Sequence, residues 1–290
     1  MKNTVAVFIF NIIPKSLVSR LFGYIARLEV PHFFLNPIIA WYSRRYKVKA
    51  EYITPPGGFK SFDDFFTRRL RDGTHAASRN KKIAVSPVDA RIDQYGDILE
   101  STIVQAKGLT YTLSDLIPGD TSKKFKSGKF ITLYLSPGDY HRIHSPVSGA
   151  ITGYFNIPGK LFTVQDYMVK GLEGLFIKNE RIVTYIQGDY GIVAICKIGA
   201  LNVGRISLSY YDLATNKPFR RRQEFFFHKN ARVPVRACEE IGVFHLGSTV
   251  ILLFQKNTIT FKNFKPGEKI RMGNSIGTLH YFNKKRMKSS

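Results

Sequence analysis

The chain has 290 residues, 44% of them hydrophobic and 13% aromatic, so it is long enough for one large domain or two small ones with a packed core. Its formal net charge is +23, which favours a polyanionic partner such as a nucleic acid, an anionic membrane surface or an acidic substrate. The two cysteines, Cys196 and Cys238, form no CxxC pair, which argues against a disulfide framework and favours a reducing compartment.

The first predicted elements are short helices at the N-terminus. The run "VAVFIFNII" is too short to span a bilayer and precedes no cleavage site, so neither a membrane-spanning helix nor a cleaved signal peptide is expected. Apolar residues then recur at helical spacing, at Leu17, Leu21, Tyr24, Ile25 and Leu28. Prolines are predicted to break the segment into short helices, at Pro14, Pro31 and Pro37.

Charge distinguishes residues 1–50 from the rest, because they carry eight basic residues and a single acid. Aromatic helices with basic flanks suit the plane of a membrane interface. We therefore predict that residues 1–50 are interfacial helices. The alternative is a helical cap whose apolar face packs on its own domain.

The next segment is predicted to contain a Pro-Gly linker at 55–58 and then the short helix "FDDFFTRRL". Ser61 is expected to cap this helix, with acids in its first turn and arginines in its last.

Strands are predicted from about residue 80 onward, at 128–136, 149–158, 190–199, 200–211, 221–229 and 248–254. No long amphipathic helices alternate with these strands, so a parallel sheet is not expected. The sequence predicts an α+β fold with a mainly antiparallel β core, in which residues 51–290 form the catalytic domain. The basic tail "NKKRMKSS" is expected to be disordered.

The stretch "FHLGSTVILLF" places Gly247 and Ser248 directly before a buried strand. Such a pair is common turn chemistry. It is not the G-x-S-x-G elbow of hydrolases, because Leu246 and Val250 occupy the glycine positions. The carbonyl nearest to the Ser248 hydroxyl is that of Gly247, and an attack there would cleave the chain itself.

Two histidines in "YLSPGDYHRIHSP", His141 and His144, allow three interpretations. They could ligate zinc, but no nearby residues complete a set of three or four ligands, so no metal is expected. They could be surface histidines in a loop. They could also act with Ser248 and with Asp89 of "SPVDARI" as an Asp–His–Ser constellation, in which the imidazole takes the hydroxyl proton.

These motifs resemble those of the phosphatidylserine decarboxylases. The matching stretches occur in the family's order and are "SPVDARI", "YLSPGDYHRIHSP", "IPGKLFTVQ", "NERIV", "GALNVGRI" and "EEIGVFHLGSTVILLF". The similarity also covers "FKSFDDFFTRRLR" and "IVQAKGLTYTLSDL", and so nearly the whole chain. The departures are Val88 for a common alanine, and Ala237 and Cys238 for a frequent Lys-Gly pair.

The resemblance implies that the bond between Gly247 and Ser248 is cut by the protein itself. The products would be a beta chain, 1–247, and an alpha chain, 248–290, that begins with a pyruvoyl group made from Ser248. By resemblance Asp89 and His144 would activate the serine, and His141 would assist decarboxylation.

The implied reaction converts phosphatidylserine to phosphatidylethanolamine and carbon dioxide. The carbanion left at Cα needs an electron sink, which a Schiff base with the pyruvoyl ketone provides. A histidine whose pKa lies near the working pH would return a proton.

The implied partners are phosphatidylserine in an anionic membrane and the second chain made by cleavage, with a homodimer implied by the resemblance alone. The basic charge would hold the enzyme peripherally, at the cytoplasmic face of a bacterial cell membrane. Two other functions are weighed against this one. They are an inactive lipid-binding scaffold and a nucleic-acid-binding protein, the latter supported by "KPFRRRQ" but by no RNA-binding motif.

Overall fold

The computed structural model describes residues 15–74, 80–106, 108–201, 205–216, 221–245, 248–265 and 267–282. Several features singled out above lie outside this part of the chain, namely the run "VAVFIFNII", Pro14, Leu246, Gly247, the first four residues of "KPFRRRQ" and the basic tail.

The described strands follow one another with few helices between them. They are β1 (Ile83–Val85), β2 (Ala90–Asp97), β3 (Thr102–Ala106), β4 (Leu109–Thr112), β5 (Lys129–Leu135), β6 (Arg142–His144), β7 (Gly149–Ile157), β8 (Arg181–Gly188), β9 (Gly191–Ile198), β10 (Arg205–Leu208), β11 (Gln223–Phe226), β12 (Val233–Val235), β13 (Glu240–His245), β14 (Ser248–Phe254), β15 (Ile259–Phe261), β16 (Lys269–Ile270) and β17 (Ser275–Leu279).

The largest sheet has nine strands in the order β11-β7-β8-β9-β14-β5-β2-β16, with β12 also paired to β7. Smaller sheets have the orders β10-β13-β6 and β1-β17-β15, and β3 pairs with β4. All the strand pairs described are antiparallel. The predicted α+β class with a mainly antiparallel core is confirmed.

Strand β14 shows why its sequence is an unbroken apolar run. Val250 and Leu252 belong to one hydrophobic cluster, whereas Ile251 and Leu253 belong to another. Successive side chains of a strand point to opposite faces, so both faces of β14 are covered and neither can be polar.

Two predicted strands are shorter than their apolar pattern. The strand predicted at 200–211 is observed as β10, because the chain turns back and the Leu208 N–H donates to the Leu213 carbonyl (3.0 Å). The strand predicted at 221–229 is observed as β11, and a 3-10 turn follows it at Lys229–Ala231.

The helices are short. They are α1 (Lys15–Arg27), α2 (His32–Tyr46), α3 (Phe62–Phe66), α4 (Leu113–Leu116), α5 (Asp166–Gly171) and α6 (Leu175–Lys178), with a second 3-10 turn at Asp120–Phe125. None of the described helices has the length and apolarity that crossing a bilayer requires.

The prolines act differently from one another. Pro31 precedes α2 as expected, but the predicted break at Pro37 is wrong, because Pro37 lies inside α2. Its missing N–H costs a single hydrogen bond, to the carbonyl of Phe33, near the start of the helix.

Helix α3 begins as predicted, with the Ser61 hydroxyl accepting a hydrogen bond from the Asp64 N–H (3.1 Å). It ends earlier than predicted, at Phe66, so Arg68 and Arg69 follow the helix instead of forming its last turn.

Candidate active site

The loop between β5 and β6 carries both candidate histidines and is held by helix α2. The Tyr42 hydroxyl donates to the Pro137 carbonyl (2.9 Å). Gly138 lies so close to the end of α2 that a Cβ there would stand 2.2 Å from the carbonyl oxygen of Tyr46. Only glycine fits this approach, which explains the glycine of "SPGDY".

His141 is fully buried, with its ring centroid 4.1 Å from that of Phe66. Its Nδ1 donates to the Asp139 carbonyl (2.8 Å), so Nε2 carries the free lone pair. This Nε2 is buried and has no hydrogen-bond partner among the described residues. Burial and the nearby charge of Arg68 lower the pKa of His141 to about 3. The imidazole is therefore neutral in this state, and the expected pKa near the working pH is not observed.

His144 is also buried, which excludes surface histidines as the explanation of this motif. Its Nδ1 donates to the Cys238 carbonyl (2.7 Å), and its Nε2 accepts from the Tyr140 hydroxyl (3.0 Å). Because a carbonyl can only accept, the proton resides on Nδ1 and the basic lone pair on Nε2. The imidazole is thus oriented with Nε2 as its proton acceptor.

Asp89 lies directly before β2 and is partly buried. Its Oδ1 accepts from the Met272 N–H (2.8 Å). The chain segments of Asp89 and His144 are neighbours, since the His144 N–H donates to the Pro87 carbonyl (2.9 Å). The carboxylate also acts on Arg68, whose pKa it helps to raise against the larger lowering effect of burial.

Ser248 is the first residue of β14 and pairs with Leu135 of β5. The neighbouring residue of β5, Tyr134, pairs with Thr249 of β14 on one side and with Arg91 of β2 on the other. Asp89 precedes Arg91 by two residues, as Ser248 precedes Thr249 by one. Asp89 and Ser248 are therefore at the same end of two strands that flank β5, about 10 Å apart at the usual strand spacing. The side chain of Ser248 lies outside the described part of the structure.

Arg68 is a site residue that the sequence analysis missed, because its motif suggested only a charged helix end. It is 4% exposed and donates through Nη2 to the carbonyls of Gly138 (2.9 Å) and Asp139 (3.1 Å). Its guanidinium also lies 5.3 Å from the ring centroid of Phe65. Arg68 thereby fixes the histidine loop to the segment that follows α3.

His245 was missed although it stands in "FHLGST". Its Nδ1 lies 2.8 Å from Oδ2 of Asp63, and its Nε2 lies 3.0 Å from the hydroxyl of Ser207. These contacts connect α3, β10 and the end of β13, three residues before Ser248. No local pattern could have indicated them, because Asp63 and His245 are 182 residues apart.

Among the described residues, no group of three or more His, Cys, Asp or Glu side chains could hold a metal ion.

Comparison with known proteins matches residues 62–278 to a family model described as phosphatidylserine decarboxylase. A phosphatidylserine decarboxylase proenzyme of Dechloromonas aromatica is 36% identical over 284 residues, which cover 96% of this chain and 99% of the relative. The proenzyme of Myxococcus xanthus is 36% identical over 93% of this chain and 97% of its own length. That of Francisella philomiragia is 37% identical over 90% and 93% respectively.

Proposed function

The chain belongs to the phosphatidylserine decarboxylase family of enzymes, and from that premise we propose that it converts phosphatidylserine to phosphatidylethanolamine and carbon dioxide, using a pyruvoyl group made from its own Ser248. The observation that carries the proposal is the match over nearly the full length to relatives named proenzymes, in a chain whose His144 is also buried and held in one orientation.

In the proposed self-processing, the hydroxyl of Ser248 attacks the carbonyl of Gly247. His144 would take the hydroxyl proton on Nε2, the nitrogen that its bond to the Cys238 carbonyl leaves basic. Asp89 would stabilise the resulting imidazolium by its negative charge. The attack would move the Gly247 acyl group from the nitrogen of residue 248 to its oxygen, giving an ester, and the proton would pass to the released nitrogen. Loss of the Cα proton and departure of the Gly247 carboxylate would then break the Cβ–O bond and yield chains 1–247 and 248–290. Water would finally replace the nitrogen of residue 248, which leaves as ammonia, and supply the ketone oxygen.

One buried polar atom supports a carbonyl group bound beside the histidine loop, because Nε2 of His141 has no hydrogen-bond partner among the described residues. Backbone pairs on both sides hold Thr249, to Tyr134 of β5 and to Ile198 of β9. When present, the pyruvoyl ketone supplies the electron sink for the electron pair left by carbon dioxide.

We assign to His141 the return of a proton to Cα of the headgroup. The neutral imidazole with a pKa of about 3 must first be protonated. A substrate carboxylate placed beside it would raise its pKa, because an opposite charge favours the protonated form.

The N-terminal helices support a peripheral location on a membrane. Their large apolar side chains are exposed, namely Leu21, Phe22, Tyr24, Ile25 and Leu28 of α1 and the loop after it, and Phe33, Phe34, Ile38 and Trp41 of α2. We call this set the apolar surface. A cap packed on its own domain would bury these side chains, so their exposure favours an interfacial role.

The test is the intact mass and activity of the purified protein. Wild-type protein should give two chains, with the smaller one beginning at residue 248, blocked to Edman chemistry and reactive with hydrazines. Ser248→Ala should remain a single chain and release no carbon dioxide from phosphatidylserine. An active preparation consisting of one uncut chain with an unmodified Ser248 would refute the proposal, and a cut but inactive protein would favour the scaffold alternative.

A further inference from the structure

A cavity of about 380 Å³ lies between α1 and the β10–β13 pair, apart from the histidine loop. Its walls include the guanidinium groups of Arg20, Arg27 and Arg205. Among the described residues that line the cavity, Asp63 is the single acidic one.

The carboxylates near Arg205 offset the charges of Arg27 and Arg205 only in part. The carboxylate of Asp63 is engaged by His245, as described above. Arg205 is half-buried, and its Nε is buried without a hydrogen-bond partner in the part of the chain that the structure describes. Burial lowers the pKa of Arg205 and the charge of Arg27 lowers it further, whereas the carboxylates of Asp63 and Asp212 raise it by a smaller amount. A buried donor without an acceptor and two repelling cations are both stabilised by a bound anion.

The position of the cavity on α1 indicates what kind of anion fits. Arg20, Gly23, Tyr24 and Arg27 line it and share one side of the helix at i, i+3 and i+4 spacing. The neighbouring stripe of the same helix is exposed and apolar, with Leu21 58% and Ile25 53% exposed. One helix therefore presents guanidinium groups to the cavity and apolar side chains beside it. A ligand with an anionic group joined to hydrocarbon chains matches both features.

We propose that this cavity binds the phosphodiester group of a glycerophospholipid, with Arg27 and Arg205 contacting its phosphate oxygens and the acyl chains lying along the apolar stripe of α1. The inference rests on the proposed function, because the lipid would be the substrate. Its serine headgroup would extend from the cavity along β13, whose last residue, His245, lines the wall and stands three residues before Ser248.

The first experiment measures binding without turnover. Dihexanoylphosphatidylglycerol is a water-soluble diester that has the phosphate but no serine, and its affinity can be measured by titration calorimetry. Arg27→Gln and Arg205→Gln should each weaken it about tenfold, the effect of losing one hydrogen bond to a charged group. Arg27 is exposed, so its substitution leaves the core intact even if Arg205→Gln fails to fold.

The matched control is Arg222→Gln, which removes the same charge from an exposed arginine beside the edge strand β11. Its affinity for the diester should equal that of the wild type. Equal weakening in all three variants would show a response to net charge and would overturn the proposal. Unchanged affinity in both cavity variants would also overturn it.

Titration with inorganic phosphate tests whether the cavity prefers a lipid phosphodiester to free phosphate. Inorganic phosphate should bind at least about tenfold more weakly than the diester, because it lacks the acyl chains. Equal affinity for both would replace the lipid by a free phosphate and so contradict the proposal.

The second experiment uses dihexanoylphosphatidylserine as a monomeric substrate, which removes vesicle binding from the measurement. Both cavity variants should self-process normally and show KM raised about tenfold with kcat changed less than about twofold. A lowered kcat with unchanged KM would contradict a binding role. If the wild type failed to decarboxylate but still bound the diester through Arg27 and Arg205, the proposed function would fail while the cavity assignment stood.

Discussion

His141 and His144 lie three residues apart in one loop, yet their imidazoles meet different surroundings. The Nε2 of His144 faces the Tyr140 hydroxyl, whereas that of His141 is buried without a partner among the described residues. In the proposed mechanism, self-cleavage needs a base beside the Ser248 hydroxyl, and decarboxylation takes place later on a pyruvoyl group that has no hydroxyl. The two steps can therefore be assigned to different histidines.

We predict that His144→Ala and Asp89→Asn remain largely uncut, while His141→Ala is cut but turns over about 10²–10⁴-fold more slowly, the usual contribution of an acid–base group. Chain cleavage is followed on gels, and carbon dioxide release is measured on the cleaved fraction. His280→Ala replaces an exposed histidine and serves as the control. Cleavage of His144→Ala together with an uncut His141→Ala would reverse the assignment.

Lys197 is a fully buried residue of β9 whose ammonium donates to the hydroxyl of Thr184. Burial lowers its pKa from 10.5 to about 7. Between these values the unfolded chain binds a proton that the folded chain does not, so folding stability rises with pH across this window. Below pH 7 the cost of charging the buried amine is present in full.

Lys197→Met should therefore be more stable than the wild type at pH 7, and its advantage should shrink by about 2 kcal/mol between pH 7 and pH 9. Urea unfolding at several pH values measures this difference. Lys256→Met, at an exposed position, should show no such trend. A stability difference that stays constant with pH would mean that the pKa of Lys197 is not lowered in the folded chain, so that its amine stays charged across this range.

At the scale of elements, the contact between Asp63 and His245 joins α3 to the end of β13, the strand that leads to the proposed cleavage point. In the proposed self-processing, the position of β13 relative to β14 would determine how the Gly247 carbonyl meets the Ser248 hydroxyl. This contact is therefore expected to influence self-processing without touching the reacting atoms.

Asp63→Ala should slow the appearance of the two chains several-fold and lower stability by about 1–3 kcal/mol, because the imidazole loses its buried partner. Asp63→Asn keeps an oxygen acceptor and should restore most of the rate. Asp64→Ala, in the same turn of α3, is the control for the helix itself. Equal cleavage rates for Asp63→Ala and the wild type would exclude a positioning role.

Helices α1 and α2 have two separable tasks, because α2 also supports the histidine loop through Tyr42 and Tyr46. Deletion of about the first 45 residues would weaken membrane binding but would also remove Tyr42. Point substitutions in the apolar surface are a sharper test.

Phe33→Ser with Trp41→Ser should weaken binding to anionic vesicles and leave self-cleavage intact, since both side chains are more than half exposed. Vesicle flotation measures the binding. Added salt should reduce the binding of the wild type further, because surface charges are screened over about 8 Å at physiological ionic strength. Unchanged flotation of the double variant would place the membrane contact elsewhere.

At the scale of the whole molecule, the proposed alpha chain is built into the centre of the fold. Strand β14 lies between β5 and β9 along its length, and β16 and β17 pair with strands of the larger chain. Its apolar residues are buried on both faces. Separating the two chains would therefore mean unfolding both.

The two chains should elute as one species in size-exclusion chromatography without denaturant and separate only in denaturant. Mass spectrometry of the eluted peak would show both chains in equal amounts. An alpha chain released under native conditions would contradict the central position of β14.

The sequence by itself determined the fold class, because strand patterns and turn residues act locally and no helical crossovers interrupt them. It also determined the family, because motifs such as "YLSPGDYHRIHSP" and "FHLGST" keep their order along the chain. The rule that proline breaks a helix failed at Pro37, because its missing N–H costs α2 only one hydrogen bond near the start of the helix. The roles predicted for Asp89, His141, His144 and Ser248 stay predictions.

Tertiary structure alone decided which distant residues meet. Asp63 contacts His245, and Arg68 donates hydrogen bonds to the carbonyls of Gly138 and Asp139. Both contacts join segments many residues apart, and no local sequence pattern indicates such pairs. Burial likewise appears only in the folded chain. It lowers the pKa of His141 to about 3 and that of Lys197 to about 7, because a charged group loses its hydration when the protein packs around it.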